Sequence, residues 1–183
     1  MANTKSSLKA FKRAASLDLS RWYMGTLTTN FAEKKDTGGA LCLVEATLVP
    51  GNEPPPHIHL REDELFYVLE GEFDVYVGKE GFEVKNGECI FLPRLQRHAV
   101  AIRSRQIHML TLFAPAGLEE AFRSSSSPAQ QLELPSGALT YSKADLKQIA
   151  RRFSAYGVHF LTLDENADQL PLYPKSLTSH PSE

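Results

Sequence analysis

The chain has 183 residues, 42% of them hydrophobic and 23% charged, and carries a formal net charge of −2. That is the length of one domain with terminal extensions, and it holds enough apolar material for one core. The near-neutral balance, with no basic stripe, argues against a nucleic-acid partner, and no run approaches the ~20 apolar residues of a membrane span.

The N-terminal stretch to Leu19 has lysines and an arginine but no continuous apolar segment of the signal-peptide kind, so a cytoplasmic protein is expected. Residues 5–16 place Leu8, Phe11 and Ala15 at helical spacing. This predicts a short helical arm that packs on the body of the protein or on a partner subunit, with a frayed terminus as the alternative. From Trp22 onward Thr, Val, Leu, Phe and Tyr dominate, and turn residues recur at short intervals. Ala40 to Val49 reads as a wholly buried strand. Pro54-Pro55-Pro56 cannot donate to a ladder and reads as an edge or loop. Glu64 to Leu69, Phe73 to Val77, Phe82 to Val84, Cys89 to Leu92, His98 to Arg103 and Ile107 to Phe113 follow as strands. Roughly eight short strands in about 75 residues, with no helix between them, predict an all-β antiparallel barrel or double-sheet jelly roll. Cys42 and Cys89 sit in these apolar runs without zinc or redox spacing. They read as buried free thiols of a reducing compartment.

The strand pattern stops near Ala114-Pro115. Residues 117–123 suit one or two helical turns, and Ser124 to Pro128 read as a polar, mobile link. Ser142-Lys143-Ala144-Asp145 is a helix N-terminus of the capping type. Leu146, Ile149, Ala150 and Phe153 mark one face of that helix, which Gly157 ends, and the helix is expected against the outside of the barrel. The expected organisation is an N-terminal arm with the first strands over residues 1–37, a barrel over 38–114, a helical extension over 115–173 and a disordered tail over 174–183.

His57 and His59, two apart on an extended chain, leave it on the same face and offer two imidazoles to one ion. The carboxylates Glu62, Asp63 and Glu64 follow. Strand phase selects Glu64, because its face continues through Phe66 and Val68. A turn over Leu60 to Asp63 would bring Glu64 back beside the histidines in a hairpin-like geometry, with Glu62 and Asp63 on the loop in water. His98 follows a turn, a strand and Pro93, and is expected to begin the strand opposite. Three imidazoles and one carboxylate suit one divalent transition metal, whether Fe, Mn, Ni, Co, Cu or Zn. Phe66, Val68 and Val100 share the faces of these residues and are the candidate substrate-binding residues. Such a wall favours an aromatic substrate over a sugar. Arg94 and Arg97 near the mouth are candidates to attract an anion. His108, His159 and His180 have no such company and read as structural or surface residues, and Phe66, Phe91, Phe113 and Met109 read as core.

Gly51, His57, His59, Glu64 and Gly71, at their spacings, resemble the first motif of the cupin superfamily without a departure. Gly87, Pro93 and His98 resemble the second, with Leu95 where that motif has a glycine and Ile102 where it has an asparagine. The resemblance implies a cupin-type barrel, or double-stranded β-helix, with His57, His59, Glu64 and His98 as metal ligands at its mouth. The runs Asp36-Thr37-Gly38-Gly39-Ala40, Pro55 to His59 and Phe66 to Gly71, with Phe113 to Glu119, are similar to the quercetin dioxygenase-like cupins. That similarity implies a metal-dependent dioxygenase acting on a small aromatic or enolisable compound, with Glu64 as catalytic base besides its ligand role, and a homodimer. Its alternatives are a cupin isomerase or decarboxylase, and a non-enzymatic binding protein for a metal or small ligand.

Overall fold

The computed structural model describes residues 8–136 and 142–174. Alternating burial builds its strands. β1 (Ser20–Tyr23), β2 (Thr26–Ala32), a short α1 (Lys34–Thr37) and β3 (Cys42–Leu48) lead into β4 (His57–His59), β5 (Asp63–Glu70), β6 (Glu72–Val77), β7 (Glu80–Lys85), β8 (Cys89–Leu92), β9 (Arg97–Ile102) and β10 (Ile107–Ala114). α2 (Glu119–Ser124), β11 (Ser127–Pro128), α3 (Lys143–Ala155), β12 (Val158–Phe160) and α4 (Leu163–Gln169) follow. The strands form two antiparallel sheets, ordered β11-β1-β2-β3-β10-β5-β8 and β12-β4-β9-β6-β7. Val68, Phe66 and Ala46 of the first meet Phe73, Val75 and Val100 of the second in one core. The strands named by the sequence between residues 38 and 114 are β3 and β5 to β10, and β4 is one more. They form a jelly roll of two facing sheets, not one closed hydrogen-bonded ring.

Several expectations are corrected. β3 is not buried throughout: Cys42, Val44, Ala46 and Leu48 point inward, while Leu43, Glu45 and Thr47 are half-buried on the outer face. Residues 8–16 form no helix, and residues 5–7 lie outside the described part. A stretch this short gains too few hydrogen bonds to hold a helix without a packed face. It is tied down in extended form instead. The Arg13 guanidinium donates to both Asp36 carboxylate oxygens, at 2.6 and 2.9 Å, and to the Phe31 carbonyl at 2.8 Å. Cys42 is buried, but Cys89 is exposed. Phe91 is 58% exposed and is not core. Both lie on β8, an edge strand whose inward positions go to Ile90 and Leu92. The Ser124 to Pro128 link is anchored: Ser127 and Pro128 pair with Trp22 and Arg21 of β1, and Arg21 donates to the Ser126 carbonyl at 2.8 Å.

α3 starts where its cap predicts, with the Ser142 hydroxyl accepting from the Asp145 amide and the Asp145 carboxylate accepting from the Ser142 amide. Ile149 and Phe153 are its buried residues, and Gly157 follows its end at φ 92°. It does not lie on the outer wall. Ile149 and Phe153 pack with Tyr23, Phe113, Leu118 and Val158 in a second apolar cluster that closes one end of the jelly roll. Residues 175–183, and with them most of the expected tail and His180, lie outside the described residues. No helix among the described residues is long and apolar enough to cross a membrane.

The tight β5–β6 turn depends on Gly71. It sits at φ 94°, and a Cβ there would lie 2.4 Å from the Gln106 carbonyl and 2.6 Å from Ser104 Oγ. Left-handed backbone alone costs a non-glycine residue about 1–2 kcal/mol, and the clash adds to it. Gly71→Ala should therefore lower the melting temperature by at least about 2 °C, given roughly 2–4 °C per kcal/mol for chains of this size. An unchanged melting curve would show that the turn relaxes freely.

Candidate metal centre

β4 holds two of the four polar residues of the site. It is three residues long and lies between β12 and β9, so both its edges are paired. His57 and His59 project to the interior, and His57 is the register partner of His98 on β9. Glu64 comes from β5, in the other sheet, where it pairs with Phe113 and Leu92. The predicted arrangement is thus exchanged. Glu64 is not the hairpin neighbour of the histidines but faces them across the interior, and His98 is not opposite but alongside. The reason is the Leu60–Asp63 turn, which carries the chain from one sheet to the other instead of folding it back within one.

The four side chains converge. His57 Nε2 lies 3.1 Å from His59 Nε2 and 3.1 Å from His98 Nε2. Glu64 Oε2 lies 3.5 Å from His59 Nε2 and 3.3 Å from His98 Nε2. All four residues are buried, and one ligand atom from each falls within 4.8 Å of every other. His57 Nδ1 donates to the Pro55 carbonyl at 2.8 Å and His98 Nδ1 to the Gln96 carbonyl at 3.2 Å. A carbonyl only accepts, so these contacts put the proton on Nδ1 and leave each Nε2 lone pair facing inward. Lone pairs so directed at about 3 Å repel one another and call for a shared cation. Glu64 Oε2 has no hydrogen-bond partner. Three imidazole nitrogens and one carboxylate oxygen, buried and aimed at one point, are suited to a single divalent transition-metal ion. The donor set admits iron, manganese, nickel, cobalt, copper or zinc.

Charge is distributed unevenly in the metal-free cluster. Burial, with the nearby His98 and His59 rings, holds the His57 imidazole well below the usual histidine range. Burial also opposes charge on His59, but the Glu62 and Glu64 carboxylates outweigh it and raise its pKa to about 9. Burial likewise opposes charge on Glu64, and the contacts from His59 and His98 overcome it, holding the carboxyl well below the usual carboxylate range.

A cavity of about 120 Å³ adjoins the cluster. His57, His59, Glu64 and His98 form part of its wall, and Phe66 and Val100 also line it. Val68 is fully buried in the core and is not part of the wall. Phe122 of α2, Phe153 of α3 and Val158 and Phe160 of β12 are also in the lining. Of these the sequence singled out only Phe153, as one face of a helix. Glu62, expected in water, is 4% exposed, and its Oε2 lies 3.6 Å from His59 Nδ1. Asp63 does turn outward and takes three contacts from Arg94, at 2.7 to 3.0 Å. Arg94 is therefore committed and is not free to attract an anion. His108 pairs with Glu45 at 3.1 Å, and His159 is exposed, away from the cluster. Leu95 adopts φ 65°, while its amide donates to the His59 carbonyl at 2.8 Å. A glycine would take that conformation without strain, which accounts for the residue type the second motif has there.

A jelly roll of two antiparallel sheets, with a His3Glu cluster buried at one end beside an apolar cavity, defines a metal-binding β-barrel protein. Residues 44–114 match the family described as Cupin domain, and this part of the chain is a cupin domain. Among its curated relatives, quercetin 2,3-dioxygenase of Bacillus subtilis (strain 168) is 25% identical over 97 residues, which are 53% of this chain and 29% of that protein. The tetracenomycin polyketide synthase protein TcmJ of Streptomyces glaucescens is 31% identical over 83 residues, which are 43% of this chain and 54% of that protein. The chain thus spans about a third to a half of the length of these relatives. Among solved structures, KdgF from Halomonas sp. is 23% identical, with 52% of this chain and 85% of that chain covered at a TM-score of 0.47.

Two outcomes are expected. Protein purified without chelators or metal columns should carry close to one equivalent of a transition metal by elemental analysis. His57→Ala and His98→Ala should each lose most of it, and unchanged content in both would remove the site. Second, metal must displace the proton that His59 holds below pH 9. Apparent affinity in a metal buffer should therefore rise about tenfold per unit from pH 6.5 to 8.5, one proton being released per ion bound. A flat profile would mean that His59 is already neutral.

Proposed function

We propose that this protein is a metal-dependent dioxygenase of the quercetinase-like kind, acting on a small, neutral aromatic or enolisable compound. The observation that carries the proposal is the wall of the cavity beside the His3Glu cluster. Phe66, Phe113, Phe122, Phe153 and Phe160 line it beside the uncharged polar residues Thr26, Thr28, Asn30, Asn52 and Thr111, and no lysine or arginine does among the described residues. A carboxylate or sugar-acid substrate would call for a cationic partner in the wall, so a decarboxylase or sugar-acid isomerase is the weaker reading.

When bound, a divalent ion with open coordination positions supplies Lewis acidity toward a substrate oxygen and, if redox-active, access to dioxygen. His57, His59 and His98 hold the ion, and Glu64 shares in holding it. Two carboxylates line the cavity. Glu53 is committed, through Oε2 to the Gly51 amide at 2.6 Å and through Oε1 to the Ile102 amide at 2.9 Å. Glu64 Oε2 has no hydrogen-bond partner, and Glu64 is the residue that takes the proton of an enol or phenol in the cavity. Coordination lowers its basicity, so it acts on protons that are already acidic. The aromatic wall excludes water from the reacting centre. A homodimer working in the cytoplasm is part of the same proposal.

Oxygen uptake by the metal-loaded protein tests it, with single-ring enolisable aromatics, 1,3-diketones and flavonols as the panel. Uptake that requires metal and disappears in Glu64→Ala is the expected result. Turnover of any of these compounds without oxygen consumption would overturn the dioxygenase and favour the isomerase or decarboxylase.

A further inference from the structure

The three histidines are not oriented in the same way. His57 and His98 each give Nδ1–H to the carbonyl two residues before them, Pro55 and Gln96. His59 has no such bond, and its Nδ1 is buried without a hydrogen-bond partner. The group that faces it is the Glu62 carboxylate, whose Oε2 is also buried and unpartnered, 3.6 Å away. Two complementary orphans at that distance need only a small side-chain rotation to bond, and leaving both unmade is costly in a buried site. The turn that places Glu62 is fixed at both ends. The Leu60 amide donates to the Gly157 carbonyl at 2.8 Å, and the Asp63 carboxylate is held by Arg94. Between these anchors Glu62 turns inward as Asp63 turns out.

We propose that Glu62 is a positioning residue that orients His59 and strengthens it as a donor toward a divalent metal ion. The inference rests on the metal-site reading but not on the dioxygenase reading. A carboxylate on Nδ1–H fixes the ring so that Nε2 faces the ion. It also makes that nitrogen more electron-rich than the two whose partners are neutral carbonyls. The cluster then has one strong imidazole donor and two ordinary ones. Glu62 does not bind the ion: it meets His59 on the side away from Nε2, and it is no part of the cavity wall.

The test is titration of cobalt(II) into the chelator-treated full chain against a competing chelator, following the visible cobalt bands. Wild type, Glu62→Gln, Glu62→Ala and His59→Ala are compared, with the metal-free melting temperature of each. Glu62→Ala should weaken cobalt binding about 10- to 100-fold. Glu62→Gln, which keeps shape and a hydrogen-bond acceptor but loses the charge, should weaken it several-fold and shift the cobalt bands without loss of intensity, its metal-free melting temperature staying at the wild-type value. Should Glu62→Ala fail to fold, Glu62→Gln decides alone. Glu62 variants that bind like wild type would overturn this inference and leave the metal site standing. Binding abolished in Glu62→Ala as fully as in His59→Ala would make Glu62 a ligand and overturn it too. Wild type that takes up no cobalt would end the metal reading itself.

Discussion

Polar groups are expensive inside a hydrocarbon-like core unless something satisfies them, and this jelly roll buries four of them at one point. His57, His59 and His98 come from one sheet and Glu64 from the other, so the same polar cluster joins the two faces of the sandwich. The strand neighbours of Glu64 are apolar: Phe113 on one side and Leu92 on the other. The surrounding structure can be understood as the means of holding these four groups together and keeping water from them. β9 places His98 in register with His57, and the carbonyls of Pro55 and Gln96 fix two of the ring tautomers. α2, α3 and β12 close the end of the roll with aromatic side chains.

The periodicity of two made much of this legible. It placed His57 and His59 on one face, singled out Glu64 from three successive carboxylates and gave the count of eight strands. Local pattern does not say which sheet a strand joins, because pairing is settled by contacts far apart in sequence. That is why Glu64 and His98 were expected in exchanged positions. The same limit explains Phe91 and Cys89: an apolar run looks alike on an edge strand and a central one, and only the ladder tells them apart. Glu62 was misplaced for a different reason. A charged residue in a turn is usually solvated, and its burial here follows from the two anchors at Leu60 and Asp63, which no short-range signal reveals.

The departures from the second motif are informative in the same physical sense. Leu95 occupies left-handed backbone at a position where the motif has glycine, and its side chain remains 60% exposed. The strain is local, because its amide still closes the loop onto the His59 carbonyl. Ile102 replaces an asparagine, and its amide is taken up by Glu53. In both places the backbone amide has a partner, the His59 carbonyl for Leu95 and the Glu53 carboxylate for Ile102.

β4 draws one of its two neighbours from near the other end of the described chain. Val158 and Phe160 of β12 pair with His59 and His57, while the family match ends at residue 114. The smallest piece of this protein able to present both histidines on a fully paired strand is thus longer than its homologous segment. Fragment boundaries drawn from relatedness alone would cut through the metal site's own scaffold, because β12 and α3 wall the site from beyond residue 114.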